Sequence, residues 1–242
     1  MTADELEAWV LHKRPSGDTS IQVTFFTRER GIVKCLCKGG RAPKKQALLQ
    51  AFSPLWLVVD ARKDWHYSRQ IESLSLPLDL QGYSLFAGLY VNELLYYSLN
   101  PLDAQPQLFD VYLETLQALV SAKHLEHIEL LLRRFEWCLL RACGQAVSLS
   151  EEAHSGRSIE AEKYYRLVNG EGFVISETGL PGQDILAFSK GCLDNARALR
   201  SAKLIMRQAI DNLLDNKPLK SRALFSRYHQ MKRRRNEPEF RD

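Results

Sequence analysis

The spacing of apolar residues in this chain changes period once, near residue 80, and that switch limits what the chain can fold into. Between residues 8 and 75 apolar side chains alternate over short runs broken by turn signals, as in strands with one buried face. From Ser84 onward they recur every third or fourth residue, as in helices. Five runs read as strands: residues 8–14, 20–27, the first half of 31–45, 55–60 and 65–73. Pro15-Ser16-Gly17-Asp18, the segment 28–31 and Arg62-Lys63-Asp64 supply turns between them. Five short strands in this length predict a small closed or partly closed barrel, an OB-fold, although an SH3-like barrel fits the count almost as well.

The second part predicts helices over residues 85–99, 108–120, 125–143, 194–214 and 221–231, with Asp194 as an N-cap. Residues 164–168 and 173–175, joined by Asn169-Gly170-Glu171-Gly172, read as a hairpin. The segment 148–163 is polar and acidic, a loop or inserted element. The fold class is therefore α+β: an N-terminal five-stranded barrel over 1–80 and a helical domain over 81–230. The helical domain carries a hairpin insertion near 148–176, and a basic disordered tail follows over 231–242.

Within the strand-like part, Gly31 to Lys45 changes character halfway along. Val33, Cys35 and Cys37 fall on one side of a strand, and Ile32, Lys34, Leu36 and Lys38 on the other. After Gly39 and Gly40, which free the backbone to turn, Arg41, Lys44 and Lys45 carry the positive charge into a mobile basic loop. Such a face suits a polyanion, with Trp65, Tyr67 or Phe26 placed to stack on bases. A solvated strand edge followed by a polar loop fits the same pattern, and the residues alone leave the two open.

Charge totals decide little, since 33 Lys and Arg stand against 29 Asp and Glu for a formal net charge of +4. The five cysteines lie mostly inside apolar segments, and no signal-like leader or unbroken apolar span is present, so a reducing, cytoplasmic setting is expected. No phosphate-cradling glycine loop of either common type occurs, nor does any of the six histidines sit beside a nucleophile in a glycine-framed elbow. Cys35 and Cys37 lack a second pair and read as barrel core; Cys138, Cys143 and His154 match no common zinc spacing. These absences move the expectation from an enzyme toward a binding protein without a cofactor. On the third helix Arg133, Trp137 and Arg141 recur every fourth residue, an arrangement that suits an acidic peptide with an aromatic end. A Trp packed under the hairpin, with arginines paired to Glu129 or Glu136, is the alternative.

Six segments in order then resemble one family. They are V-L-H-x-R-P at Val10 to Pro15, the Phe26-Thr27 to Gly31 turn, Lys38-Gly39-Gly40-Arg41, Y-V-N-E-L-L at Tyr90 to Leu95, L-R-R-F-E at Leu132 to Glu136, and K-P-L-K-S-R at Lys217 to Arg222. Together they are similar to the RecO family of bacterial recombination mediators, particularly its proteobacterial branch. The resemblance implies an OB-fold on a helical domain. It also implies a nucleoid-associated, non-enzymatic protein that binds single- and double-stranded DNA, anneals complementary strands without nucleotide hydrolysis, and helps load the RecA recombinase. Implied partners are RecR and the acidic C-terminal tail of single-stranded DNA-binding protein (SSB).

By position, the family's basic OB surface falls on Lys34, Lys38, Arg41, Lys44 and Lys45. Its tail site falls near Arg133 and Arg134, which draws in Trp137 and Arg141. Many members carry a four-cysteine zinc element after the third helix; this chain keeps only Cys143 there, which implies a degenerate element held by packing alone. A metal-dependent nucleic-acid-processing enzyme and a pure protein adaptor remain as rival readings.

Overall fold

A computed structural model describes residues 3–62, 65–193 and 195–236, with the side chains at 62 and 234–236 outside that set. Five strands form a closed barrel in the order β1-β2-β3-β5-β4: β1 (Ala3–Ser16), β2 (Ser20–Thr27), β3 (Gly31–Cys37), β4 (Pro54–Arg62) and β5 (Trp65–Ser73). The three-strand meander closes through β5, which lies parallel to β3 with Cys35 opposite His66 and Leu36 opposite Tyr67. This is the OB-fold that the strand count predicts, and closure leaves no unpaired sheet edge. Alternation fills the interior with Leu6, Ala8, Val10, Val23, Phe25, Val33, Cys35, Cys37, Leu55 and Leu57. Cys35 and Cys37 are thus core residues; a hydrogen bond from Cys37 and burial push the Cys35 thiol well above its ordinary range.

Two features of the barrel escape period counting. Strand β1 begins at Ala3 rather than Ala8, and Leu11 is a bulge between the pairs Val10–Phe25 and His12–Thr24. In addition, Pro43 opens a one-and-a-half-turn helix, α1 (Pro43–Leu48), so Lys44 and Lys45 stand on ordered structure where a mobile loop is expected.

The chain forms two compact units, Met1–Ala122 with Pro218–Asp242, and Lys123–Lys217. In the first, the barrel is joined by α2 (Gly82–Ser98), α3 (Pro106–Ser121) and α7 (Lys220–Asn236). Helix α3 covers one end of the outer sheet face: Trp9 meets Tyr112 edge-on at 5.8 Å, and Phe26 lies 5.2 Å from Phe109. Phe26 is fully buried there, so it cannot stack on a base. Beneath this layer Tyr112 donates to Asn92 Oδ1 (2.9 Å), and Asn92 Nδ2 donates to the Val10 carbonyl (3.3 Å). Gly31 allows another close approach, since a Cβ there would sit 1.9 Å from the Asp103 carbonyl oxygen.

Helix α7 extends through Lys232 to Asn236, where the sequence reading expects a disordered tail from residue 231; residues 237–242 lie outside the described set. Aromatic packing holds the helix against α2: Tyr83 donates to or accepts from His229 Nδ1 at 3.0 Å, and Tyr228 lies 4.9 Å from Phe86. The Lys232 ammonium stands 5.3 Å from the Tyr83 ring centre.

The second unit holds α4 (Leu125–Ala142), a small sheet of β6 (Tyr164–Val168), β7 (Gly172–Ser176) and β8 (Leu180–Pro181), then α5 (Gly182–Ser189) and α6 (Ala196–Leu213). The apolar stripe Ile128, Leu131, Leu132, Phe135 and Leu139 is buried as its spacing predicts. Buried Asp184 ties α5 to α6 by accepting from Ser201 Oγ (2.7 Å) and Arg197 Nε (3.1 Å). Asn195 caps α6 through Ala198 N–H; the expected cap, Asp194, lies outside the described residues. No helix among the described residues is long and apolar enough to cross a membrane.

Candidate nucleic-acid interface

Alternation along β3 turns Lys34 outward and Val33, Cys35 and Cys37 inward, with Leu36 half-buried; Lys38, expected on the strand, is the first residue of the turn after it and is exposed. The chain then reverses at Gly39, whose φ is +64°, and at Gly40, where a Cβ would come within 2.9 Å of the Cys37 carbonyl. That tight reversal lets Gly40 N–H donate to Cys37 O (3.1 Å) and Arg41 N–H to Thr19 O (3.0 Å). Lys45 reaches back to donate to the Lys38 carbonyl at 2.7 Å, which pins α1 beside the end of β3. The parallel pairing of β5 puts Tyr67 alongside, with the Lys38 ammonium 5.7 Å from its ring centre, and Trp65 at the start of β5 is 46% exposed. Lys34, Lys38, Arg41, Lys44 and Lys45 therefore gather on the outer side of β3, α1 and their connecting turn.

These cations differ from the arginines at the other end of the barrel. Arg28 pairs with Glu7 and Asp110, at 2.8 and 2.6 Å, and Arg30 with Asp4 at 2.9 Å. None of Lys34, Lys38, Arg41, Lys44 or Lys45 makes an ion pair with a described carboxylate. Same-sign charge without internal neutralisation favours an external polyanion.

In the second unit the four residues singled out on α4 do not share one surface. Arg133 is 6% exposed and donates through Nη2 to Glu136 at 2.7 Å, so it belongs to the interior. Arg134 and Arg141 are exposed and Trp137 is half-buried, edge-on to Phe188 at 5.9 Å. Arg134, Trp137, Leu149, Phe188 and Leu193 help line a cavity of about 450 Å³, together with Ser148, Ser150 and Ser189. Sequence spacing found Trp137 but not its partners, which come from the 147–150 segment and the end of α5; Arg141 is not among the lining residues.

The segment after α4 is held by polar contacts as well as packing. Glu152 accepts from Ser155 Oγ, from Ser155 N–H (2.7 Å) and from His154 N–H (3.2 Å). These bonds, the Ser155 hydroxyl foremost, hold its carboxyl below the ordinary value of 4.5. His154 Nε2 lies 2.9 Å from Glu171 across the hairpin. Among the described residues no group of three or more His, Cys, Asp or Glu is placed to hold a metal, and Cys143 and Cys192 do not rebuild the four-cysteine element.

Models of two domains match nearly the whole chain: Recombination protein O N terminal over residues 1–76 and Recombination protein O C terminal over residues 80–223. A protein of Legionella pneumophila (strain Corby) named DNA repair protein RecO is 53% identical over 226 residues, which cover 93% of this chain and 99% of that protein. The protein of the same name from Pasteurella multocida is 37% identical over 233 residues, covering 92% and 96%. That from Actinobacillus pleuropneumoniae serotype 7 is 37% identical over 230 residues, covering 91% and 95%.

Proposed function

Because the chain belongs to the Recombination protein O family of DNA repair proteins, we propose that it is a recombination mediator that binds DNA, anneals complementary single strands and helps load RecA onto SSB-coated DNA. The observation that carries this reading is the set Lys34, Lys38, Arg41, Lys44 and Lys45, gathered on the outer barrel face with no described carboxylate to neutralise it. Contacts from ammonium and guanidinium groups to phosphate carry no sequence information, so binding is sequence-independent and weakens with salt. Tyr67 and Trp65 beside Lys38 add ring faces on which unpaired bases stack. Holding strands on a positive surface screens their mutual repulsion and raises their effective concentration, which is the whole of the catalysis that annealing needs.

The acidic tail of SSB is assigned to the cavity beside α4. Arg134 takes the carboxylates, and Trp137 and Phe188 take the aromatic end, with Arg141 as an outlying cation. RecR is the second proposed partner, and the setting is the cytoplasm, at the nucleoid. No catalytic centre or cofactor belongs to this reading.

Annealing of complementary oligonucleotides with and without ATP, at two salt concentrations, tests it. The expected result is ATP-independent annealing that slows at the higher salt. An ATP requirement, or cleavage of the DNA when magnesium or manganese is added, contradicts it.

A further inference from the structure

The outer face of the barrel carries more positive charge than β3 supplies. On β1 the inward set runs Leu6, Ala8, Val10, and unbroken alternation would send His12 and Arg14 into the core after them. The bulge at Leu11 reverses the phase, so His12 pairs with Thr24 and Arg14 with Gln22 on the outer face, and both are exposed. The register continues across β2: Thr24 lies opposite Lys34, and Gln22 opposite Leu36. His12, Thr24 and Lys34 therefore form one row across three strands, and Arg14, Gln22 and Leu36 the next. Adjacent strands lie about 4.8 Å apart, so the backbones of β1 and β3 run about 10 Å apart, with β2 between them.

A second cation joins Arg14 from outside the barrel. Glu93 on α2 binds the first turn of α7, its Oε1 accepting from Lys220 N–H (3.0 Å) and its Oε2 from Ser221 N–H (2.9 Å) and Ser221 Oγ (2.5 Å). This contact fixes exposed Lys220 near His12 and occupies both carboxylate oxygens of Glu93. Neither Arg14 nor Lys220 makes an ion pair with a described carboxylate; Arg14 donates instead to neutral Gln22. His12 rests against Tyr96 with ring centres 4.9 Å apart, and Tyr96 against Tyr97 at 5.0 Å. Burial, with Arg14 and Lys220 close by, lowers the His12 pKa from its ordinary value and so favours the neutral imidazole, whose ring beside Tyr96 offers a stacking surface.

We propose that Arg14 and Lys220, with the His12–Tyr96 ring pair beside them, form a second lane for a nucleic-acid strand, separated from the β3 lane by β2. The inference rests on the reading of β3 as a strand-binding surface and adds to it where the complementary strand goes. Two lanes about 10 Å apart hold two single strands side by side, each on its own cations. The surface then anneals because it is bipartite, and a single groove of the same total charge would bind DNA without bringing a second strand alongside.

The test uses the full chain and two non-complementary oligonucleotides carrying different dyes, with strand stoichiometry read by native mass spectrometry and annealing by energy transfer between complementary pairs. Wild type is expected to take up two strands. The H12A/R14A variant is expected to bind one strand within about twofold of wild-type affinity, to take up no second, and to anneal about tenfold more slowly. Arg14→Lys, which keeps the charge, is expected to anneal like wild type, and this rescue separates a lost contact from a damaged barrel. An H12A/R14A protein that still takes up two strands and anneals at the wild-type rate overturns the second lane. A wild type that holds a single strand and anneals also overturns it while leaving the β3 lane standing, whereas a wild type that binds no DNA removes the underlying reading.

Discussion

Glu93 accepts both the backbone N–H and the hydroxyl of Ser221, so a carboxylate on α2 serves as the N-terminal cap of α7, more than 120 residues further along the chain. Arg222, in the next position, lies over Tyr90 of α2 with its guanidinium carbon 5.6 Å from the ring centre. The start of α7 is therefore held by tertiary contacts with α2. Glu93→Ala removes the acceptor for three donors and is expected to cost about 1–2 kcal/mol of stability, near the upper range for a lost cap. Thermal melting checks this, and hydrogen exchange should place the loss in α7.

The adjacent arginines Arg133 and Arg134 of α4 are expected to separate cleanly. Arg133→Ala leaves a buried carboxylate, Glu136, without its guanidinium neighbour and should destabilise the fold by about 3–5 kcal/mol. Arg134→Ala should leave the melting temperature unchanged and weaken an acidic, phenylalanine-ended peptide by about tenfold, the loss expected for one charge-assisted contact. Calorimetric titration of the peptide, run beside melting curves, tells them apart. If Arg134→Ala binds the peptide as wild type does, the cavity is not the tail site.

The contrast shows what the sequence carries and what it hides. The period switch near residue 80, the five strands and the buried stripe from Ile128 to Leu139 are local patterns, and local patterns are legible. Arg133 and Arg134 are adjacent, and only packing decides that one turns inward toward Glu136 while the other remains on the surface. The bulge at Leu11 is equally hidden, because a one-residue phase change leaves composition untouched while moving Arg14 from the core side to the outer face. Helix α1 was masked by its glycine and lysine neighbours, and α5 and β8 are too short for a period to register. Three of the sequence motifs prove to be one structural junction: Asn92 bonds Val10, and Glu93 bonds Ser221.

Acid should loosen the segment after α4. The Glu152 carboxyl is held below its ordinary value by Ser155 and His154, so its contribution to stability is present in full above the unfolded-state value of 4.5 and is lost as pH falls through the lower folded value. Glu152→Gln should therefore be less stable than wild type at pH 7, and the gap should close as the pH drops below 4.5. Denaturant titrations of both proteins between pH 7 and pH 3 check this; a gap independent of pH would assign the effect to shape instead of charge.

The central claim is that the cations of β3 and α1 meet phosphates, and salt dependence tests it most directly. The measurement is the affinity for a single-stranded oligonucleotide over a series of salt concentrations, for wild type and for the variant in which Lys38, Arg41 and Lys44 are all alanine. Each lost phosphate contact removes about 0.7 from the slope of log affinity against log salt, so the variant should bind more weakly and its slope should be shallower by about 2. An unchanged affinity and slope would contradict the account.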